Sequence, residues 1–199
     1  MRKSYLDGLS IHLLMITVQK LEIRQQAITA VFIALASTLR LFKHVIFGPT
    51  QFVNFPAIFT VMGGLMFGYA AGAFIGVMSF VVSDVLLGYA GVWTVFTSLS
   101  MGLVGILSSF LGRINADSSA LSLGVCSYLL ILTYDVLSSV VLLIPLVPIQ
   151  TAFLWSIIGL FLPSSVVLYP VGLVTEIVTV VLIVLIYPRV RGIWKEVKS

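Results

Sequence analysis

Between Phe55 and Gly88 the chain reads FPAIFTVMGGLMFGYAAGAFIGVMSFVVSDVLLG, with no basic residue and a single acid, Asp84. Such a run is long enough for two crossings of a bilayer. Gly64, Gly68, Gly72 and Gly76 recur at intervals of four. On a helix that spacing clears one face for the close approach of another backbone. Because the string crosses the expected turn at Gly68–Gly72, it predicts two glycine-faced helices joined tightly.

The rest of the chain shares this solvent preference. Of its 199 residues, 60% are hydrophobic and 9% charged, with a mean hydropathy of +1.18. So few charges cannot cover the surface of a water-soluble domain, so the chain is read as an integral membrane protein. Its lone cysteine, Cys126, excludes an internal disulfide, and the apolar surroundings predict a buried, inert thiol. The net charge of +4 gathers towards the chain ends, which points to membrane orientation and not to nucleic acid. Arg2 and Lys3 are followed by Asp7 and Gly8 with no small-residue cleavage site, so the first span is expected to act as the insertion signal.

Residues 1–23 read as an N-terminal cytoplasmic or interfacial segment: Leu6, Leu9, Leu13 and Ile16 keep near-helical spacing, but the apolar run is too short to cross. His12 falls inside it as an interfacial polar residue. Residues 24–188 read as a transmembrane domain. The first span runs from about Gln26 to Phe42 and is closed by Arg40, Lys43 and His44, with a loop turning at Gly48-Pro49. The second begins at Phe55, breaks near Gly68-Tyr69, and gives way to a third that ends near Leu87. A fourth covers Trp93 to Leu111 and ends at Arg113 and Asp117; a fifth covers Ala120 to Ile144. The apolar piece Ile149–Leu162 is too short for a crossing if Pro163 ends it. The sixth extends from Ser164 to Tyr187, and residues 189–199 form a basic tail.

Six crossings put both termini on one side, expected to be cytoplasmic. Arg2, Lys3, Lys20, Arg24, Arg113, Arg189, Arg191, Lys195 and Lys198 then lie inside, against Arg40 and Lys43 outside. That asymmetry follows the positive-inside rule, and a seventh span would break it. Trp93 and Trp155 fit the outer interface, Trp194 the inner one.

Acids within such a bundle are costly, about 2.5–3.5 kcal/mol at mid-bilayer on insertion scales, so they turn towards a partner, water or a ligand. Three qualify: Asp84 near the end of the third span, Asp135 in the fifth and Glu176 in the sixth. With Arg40, Lys43 and His44 on the same side, they are candidates for one outward-facing pocket walled by Tyr89, Trp93, Tyr134, Trp155 and Tyr169. An alternative for Asp84 is a structural pair with Arg40 or Lys43. Three acids favour a cationic or amine-bearing ligand, such as a thiamine-like compound or a base precursor; the basic cluster equally suits a carboxylate or phosphate. Ala30 and Ala34, flanked by Ala27 and Thr38, form a small face on the first span.

Several chemistries are disfavoured. There is no glycine-rich Lys-Ser/Thr phosphate loop, so no cofactor is expected and the chain does not hydrolyse ATP by that route. Two histidines, no HExxH and one cysteine argue against catalytic zinc. Tyr134-Asp135 matches the first half of an intramembrane aspartyl protease pair, but the Gly-x-Gly-Asp half is missing, since Val82 and Ser83 precede Asp84.

The first helix with Ala30-x-x-x-Ala34, the outer loop, the 55–88 stretch and three further spans together resemble the substrate-binding (S) component of energy-coupling factor transporters. The likeness covers about residues 24–190 and is most specific at 55–88. It implies a six-helix bundle in the cell membrane that binds a vitamin or related micronutrient near the outer face. It implies no enzymatic activity, and partners in a transmembrane coupling subunit and two cytoplasmic ATPases. By resemblance, Ala30 and Ala34 face the coupling subunit, and the substrate is contacted by residues among Arg40, Asp84, Tyr89, Trp93, Tyr134, Asp135, Trp155 and Glu176. The N-terminal metal-binding sequence of cobalt and nickel relatives is absent, since this chain begins MRKSYLDG. The competing readings are a scaffold-type membrane protein and an intramembrane aspartyl enzyme using Asp135 with Asp84 or Glu176.

Overall fold

A computed structural model describes residues 23–48, 52–114, 119–161 and 171–198. Expectations for the N-terminal segment with His12, and for Pro49, Asp117, Pro163, Ser164 and Tyr169, fall outside the described residues. The described residues form seven helices: α1 (Ile23–Phe47), α2 (Phe55–Phe67), α3 (Tyr69–Leu87), α4 (Val92–Ile114), α5 (Ala120–Leu143), α6 (Ile149–Gly159) and α7 (Val171–Lys198). Five of them, α1, α3, α4, α5 and α7, are long and apolar enough to cross a membrane. At 1.5 Å per residue, α2 and α6 extend only about 20 and 16 Å, short of the roughly 30 Å hydrocarbon core.

The helix boundaries follow local chemistry. Asn54 starts α2: its side chain accepts from the Ala57 N–H at 3.1 Å, and Pro56 fits the first turn, where a missing N–H costs nothing. Gly68 separates α2 from α3 with φ 93° and ψ −177°, a conformation that glycine adopts without strain. The break is thus confined to one residue, and Gly72 lies inside α3. Gly88 closes α3 in the left-handed conformation, with the Tyr89 N–H donating to the Asp84 carbonyl at 2.8 Å. Ser119 caps α5.

Two boundaries differ from the sequence expectation. Residues 44–47 continue α1 and do not begin a loop, so His44 rides on the last turn. Beyond Tyr187, α7 runs on through Pro188 to Lys198, with the Arg189 guanidinium turned back onto the Leu185 carbonyl at 3.1 Å. Cys126, expected to be buried, is half-buried on α5.

The tightest packing joins α3 to α4. A methyl group on Gly72 would stand 2.5 Å from the Gly105 carbonyl oxygen, and one on Gly76 2.5 Å from that of Met101. Gly64 meets Ser108 and Gly105 in the same way. In lipid, apolar surface gains little from leaving the solvent, so such backbone-to-backbone dispersion contact holds helices together. Ile58, Val61, Met62, Ile75, Met101, Val104, Ile131 and Ile183 fill the remaining core. Phe74, Leu99, Leu103, Phe110, Leu129, Phe153 and Leu185 point outward, as residues facing lipid would.

Candidate functional site

A cavity of about 520 Å³ opens at one end of the bundle. Its lining comes from the C-terminal halves of α1, α3 and α5, from Val53, Asn54 and the first turn of α2, from the first turns of α4 and α7, and from α6. Helices entering and leaving at that end alternate, so the starts of α1 and the end of α7 lie at the other. Short α6 forms one side of the cavity because it packs mainly on α5 and is buried only along Ala152 and Ser156.

Of the residues singled out from the sequence, Arg40, Trp93, Tyr134, Asp135 and Trp155 line this cavity together, and Lys43 joins them. Trp93 and Trp155 remain 53% and 63% exposed, so their rings are available to a ligand. Tyr134 is buried and tilts against Phe80, with ring centroids 5.7 Å apart.

Asp84, Tyr89 and Glu176 stand outside the lining. Asp84 is 1% exposed and forms an ion pair with Arg40. The same guanidinium nitrogen reaches the Ser83 hydroxyl, and the Thr94 hydroxyl donates to the second Asp84 oxygen at 2.8 Å. The Arg40 guanidinium also sits 4.6 Å from the centre of the Phe80 ring. A charge buried this deeply persists only with a partner and hydrogen bonds, and Asp84 has both. It positions Arg40 at the cavity wall. Tyr89 is exposed and meets His44, hydroxyl to Nε2, at 3.2 Å. Glu176 is 0% exposed, its carboxyl group facing Asp135 with the Tyr128 phenol beside it.

Asn54, Phe80, Ser138, Ser139, Ser156 and Thr175 also line the cavity, and sequence reasoning did not single them out. Ser138 and Ser139 could have been found as polar residues in an apolar helix one turn after Asp135. Ser156 and Thr175 carry no such signal, because serine and threonine are scattered through every helix and most bond back to their own backbone, as Ser156 does to the Ala152 carbonyl at 2.7 Å.

On the opposite side of α1, Ala27, Ala30, Ala34 and Thr38 are exposed and leave a shallow small-residue face. Among the described residues no group of three or more His, Cys, Asp or Glu could hold a metal ion.

A family model described as ECF-type riboflavin transporter, S component, matches residues 20–188. No curated protein and no solved structure matches the chain.

Proposed function

The chain belongs to the family of ECF-type riboflavin transporter S components, and from that premise we propose that it captures riboflavin, or a close flavin relative, in the cavity at the end of the bundle. The family is one of membrane-embedded transporter components and not of enzymes, which removes the aspartyl-enzyme reading.

One observation carries the choice of ligand: the cavity combines flat aromatic walls with hydroxyl groups. Riboflavin is a planar tricyclic ring bearing a polyhydroxylated chain. Trp93, Trp155, Tyr134 and Phe80 offer faces and edges for the ring, while Asn54, Ser138, Ser139, Ser156 and Thr175 offer partners for the chain. The volume of about 520 Å³ falls in the roughly 300–1,000 Å³ range of small-molecule sites. A neutral ligand also suits a wall on which Arg40 is already answered by Asp84.

In this reading α1–α5 and α7 make six passes with both termini in the cytoplasm. Arg24 at the start of α1 and Arg189 and Arg191 near the end of α7 support it, since they lie at the end away from the cavity. The cavity then opens outward. The exposed Ala30–Ala34 face serves the membrane coupling subunit, and ATP is hydrolysed by separate ATPase subunits, with no cofactor held by this chain.

The test is a riboflavin titration of the purified subunit in mild detergent, read by tryptophan fluorescence. Trp93 and Trp155 should be quenched to saturation at one flavin per chain. Absence of quenching, together with a thermal shift from a different vitamin, would overturn the flavin assignment while keeping the transport role.

A further inference from the structure

We propose that Asp135 and Glu176 share a proton, and that this carboxyl pair is a pH-sensitive clasp joining α5 to α7 beside the cavity. Tyr128, Ile131 and Asp135 recur on α5 at intervals of three and four, so they lie along one face of that helix. Glu176 on α7 meets this face, its carboxyl group facing that of Asp135. Asp135 also lines the cavity, whereas Glu176 is 0% exposed. The described residues give neither Glu176 oxygen a hydrogen-bond donor, and the Tyr128 phenol stands beside it without closing a bond. Buried acceptors left without donors are costly and rare in native structures. A proton on either carboxyl supplies the missing donor. Its O–H reaches the facing oxygen, and one bond then ties the two helices together.

The neighbouring elements bring no cation that would let both acids ionise. Helices α2 and α6 carry no titratable residue, and α4 carries only Arg113, at its far end. On α5 the titratable neighbours are Tyr128 and Tyr134, both phenols. The cations at the cavity, Arg40 and Lys43, stand on α1, and Arg40 is already answered by Asp84. Two facing negative charges inside a low-dielectric bundle repel strongly, so the pair titrates as a unit and retains one proton at neutral pH. In the unfolded chain both carboxyls ionise above about pH 4. The folded chain then holds a proton that the unfolded chain has released. Its stability therefore falls as pH rises, by up to about tenfold in the folding equilibrium per pH unit, until the pair gives up its last proton. At that point a bond between α5 and α7 becomes a repulsion. Because Asp135 borders the cavity, the proton has a path to water, and the wall that loosens is the cavity's own.

The experiment joins infrared spectroscopy of the purified subunit in mild detergent with thermal midpoints measured from about pH 5 to about pH 9. At neutral pH wild type should show the C=O stretch of a protonated carboxylic acid, and exchange into heavy water should shift it. Asp135→Asn combined with Glu176→Gln keeps both shapes and sets an amide donor where the proton was. This double variant should lose the band. The wild-type midpoint should fall towards alkaline pH, and that of the double variant should change less. Asp135→Asn alone, whose amide donates to Glu176, should flatten the profile in the same direction. A wild type without a protonated carboxyl band at neutral pH overturns the proposal before any variant is made. A band that survives in the double variant assigns the proton to another acid and overturns it as well. Midpoint profiles that run parallel in wild type and both variants overturn the clasp. None of these readouts uses a ligand, so their outcome is independent of the flavin reading.

Discussion

The α2–α4 region and the α5–α7 region are built from the same apolar alphabet and behave differently. In the first, glycines at 64, 72, 76 and 105 let backbones meet directly, and about half of the α4 span is buried. In the second, a methyl group on Gly124 would meet only the side-chain methyls of Val180 and Val184 at ordinary contact distance, and nothing lies near one added to Gly159 or Gly192. Gly172 alone comes close to backbone, its added methyl 3.0 Å from the Leu160 Cα. The first region is closed by contact, and the second leaves a cavity against α1. The difference teaches where a lipid-embedded bundle can hold a site: packing that excludes a ligand and packing that admits one have to occupy separate halves.

The seam between the halves should show the largest effect. Arg40→Met strands the Asp84 carboxylate with Thr94 alone, and removal of one member of a buried pair costs about 3–5 kcal/mol. The thermal midpoint in detergent should fall sharply, and adding Asp84→Asn should restore much of it. A single variant as stable as wild type would mean that the pair is not what joins α1 to α3.

Within the closed half, Gly105→Ala should lose about 1–3 kcal/mol, because the new methyl meets the Gly72 carbonyl group and backbone cannot move aside as a side chain does. The matched change in the open half, Gly159→Ala, should stay within about 0.5 kcal/mol. Equal losses at the two positions would erase the contrast between the halves.

In the open half, binding should respond where stability does not. Trp155→Ala removes a largely exposed ring, so the melting temperature should hold while riboflavin affinity drops roughly tenfold. Unchanged affinity would place the aromatic wall elsewhere. The smallest effect on the subunit itself is expected from Ala30→Trp and Ala34→Trp, whose side chains point away from the bundle. Ligand binding should be unaltered in both, and co-purification with the coupling subunit should be lost. Intact complexes in both variants would remove this face as the docking surface.

Much of this architecture could be read from residue order. With no water to satisfy the backbone, apolar stretches have to be helices, so their lengths mark α1, α3, α4 and α5 within a few residues. The glycine spacing announced close approach before any partner helix was known. Boundaries failed where the local signal was weak: His44 looked like the end of a span, and Pro188 like the end of a helix, yet both are helical.

The site divides along the same line. That Asp84, Asp135 and Glu176 are candidates to turn inward, with a pair to Arg40 or Lys43 as the alternative for Asp84, followed from the cost of charge in lipid alone. Which of them borders the cavity was decided by helix rotation and by contacts across the chain. Arg40 and Asp84 are 44 residues apart, and their pairing makes one acid structural. Asp135 reaches the cavity while Glu176 stops behind it, a difference set by how α5 and α7 face each other. Sequence determined the solvent, the helices and the set of candidate charges because each depends on a residue and its near neighbours. Only the tertiary structure assigned the charges their partners, because a hundred-degree turn per residue changes a side chain's surroundings without changing its name.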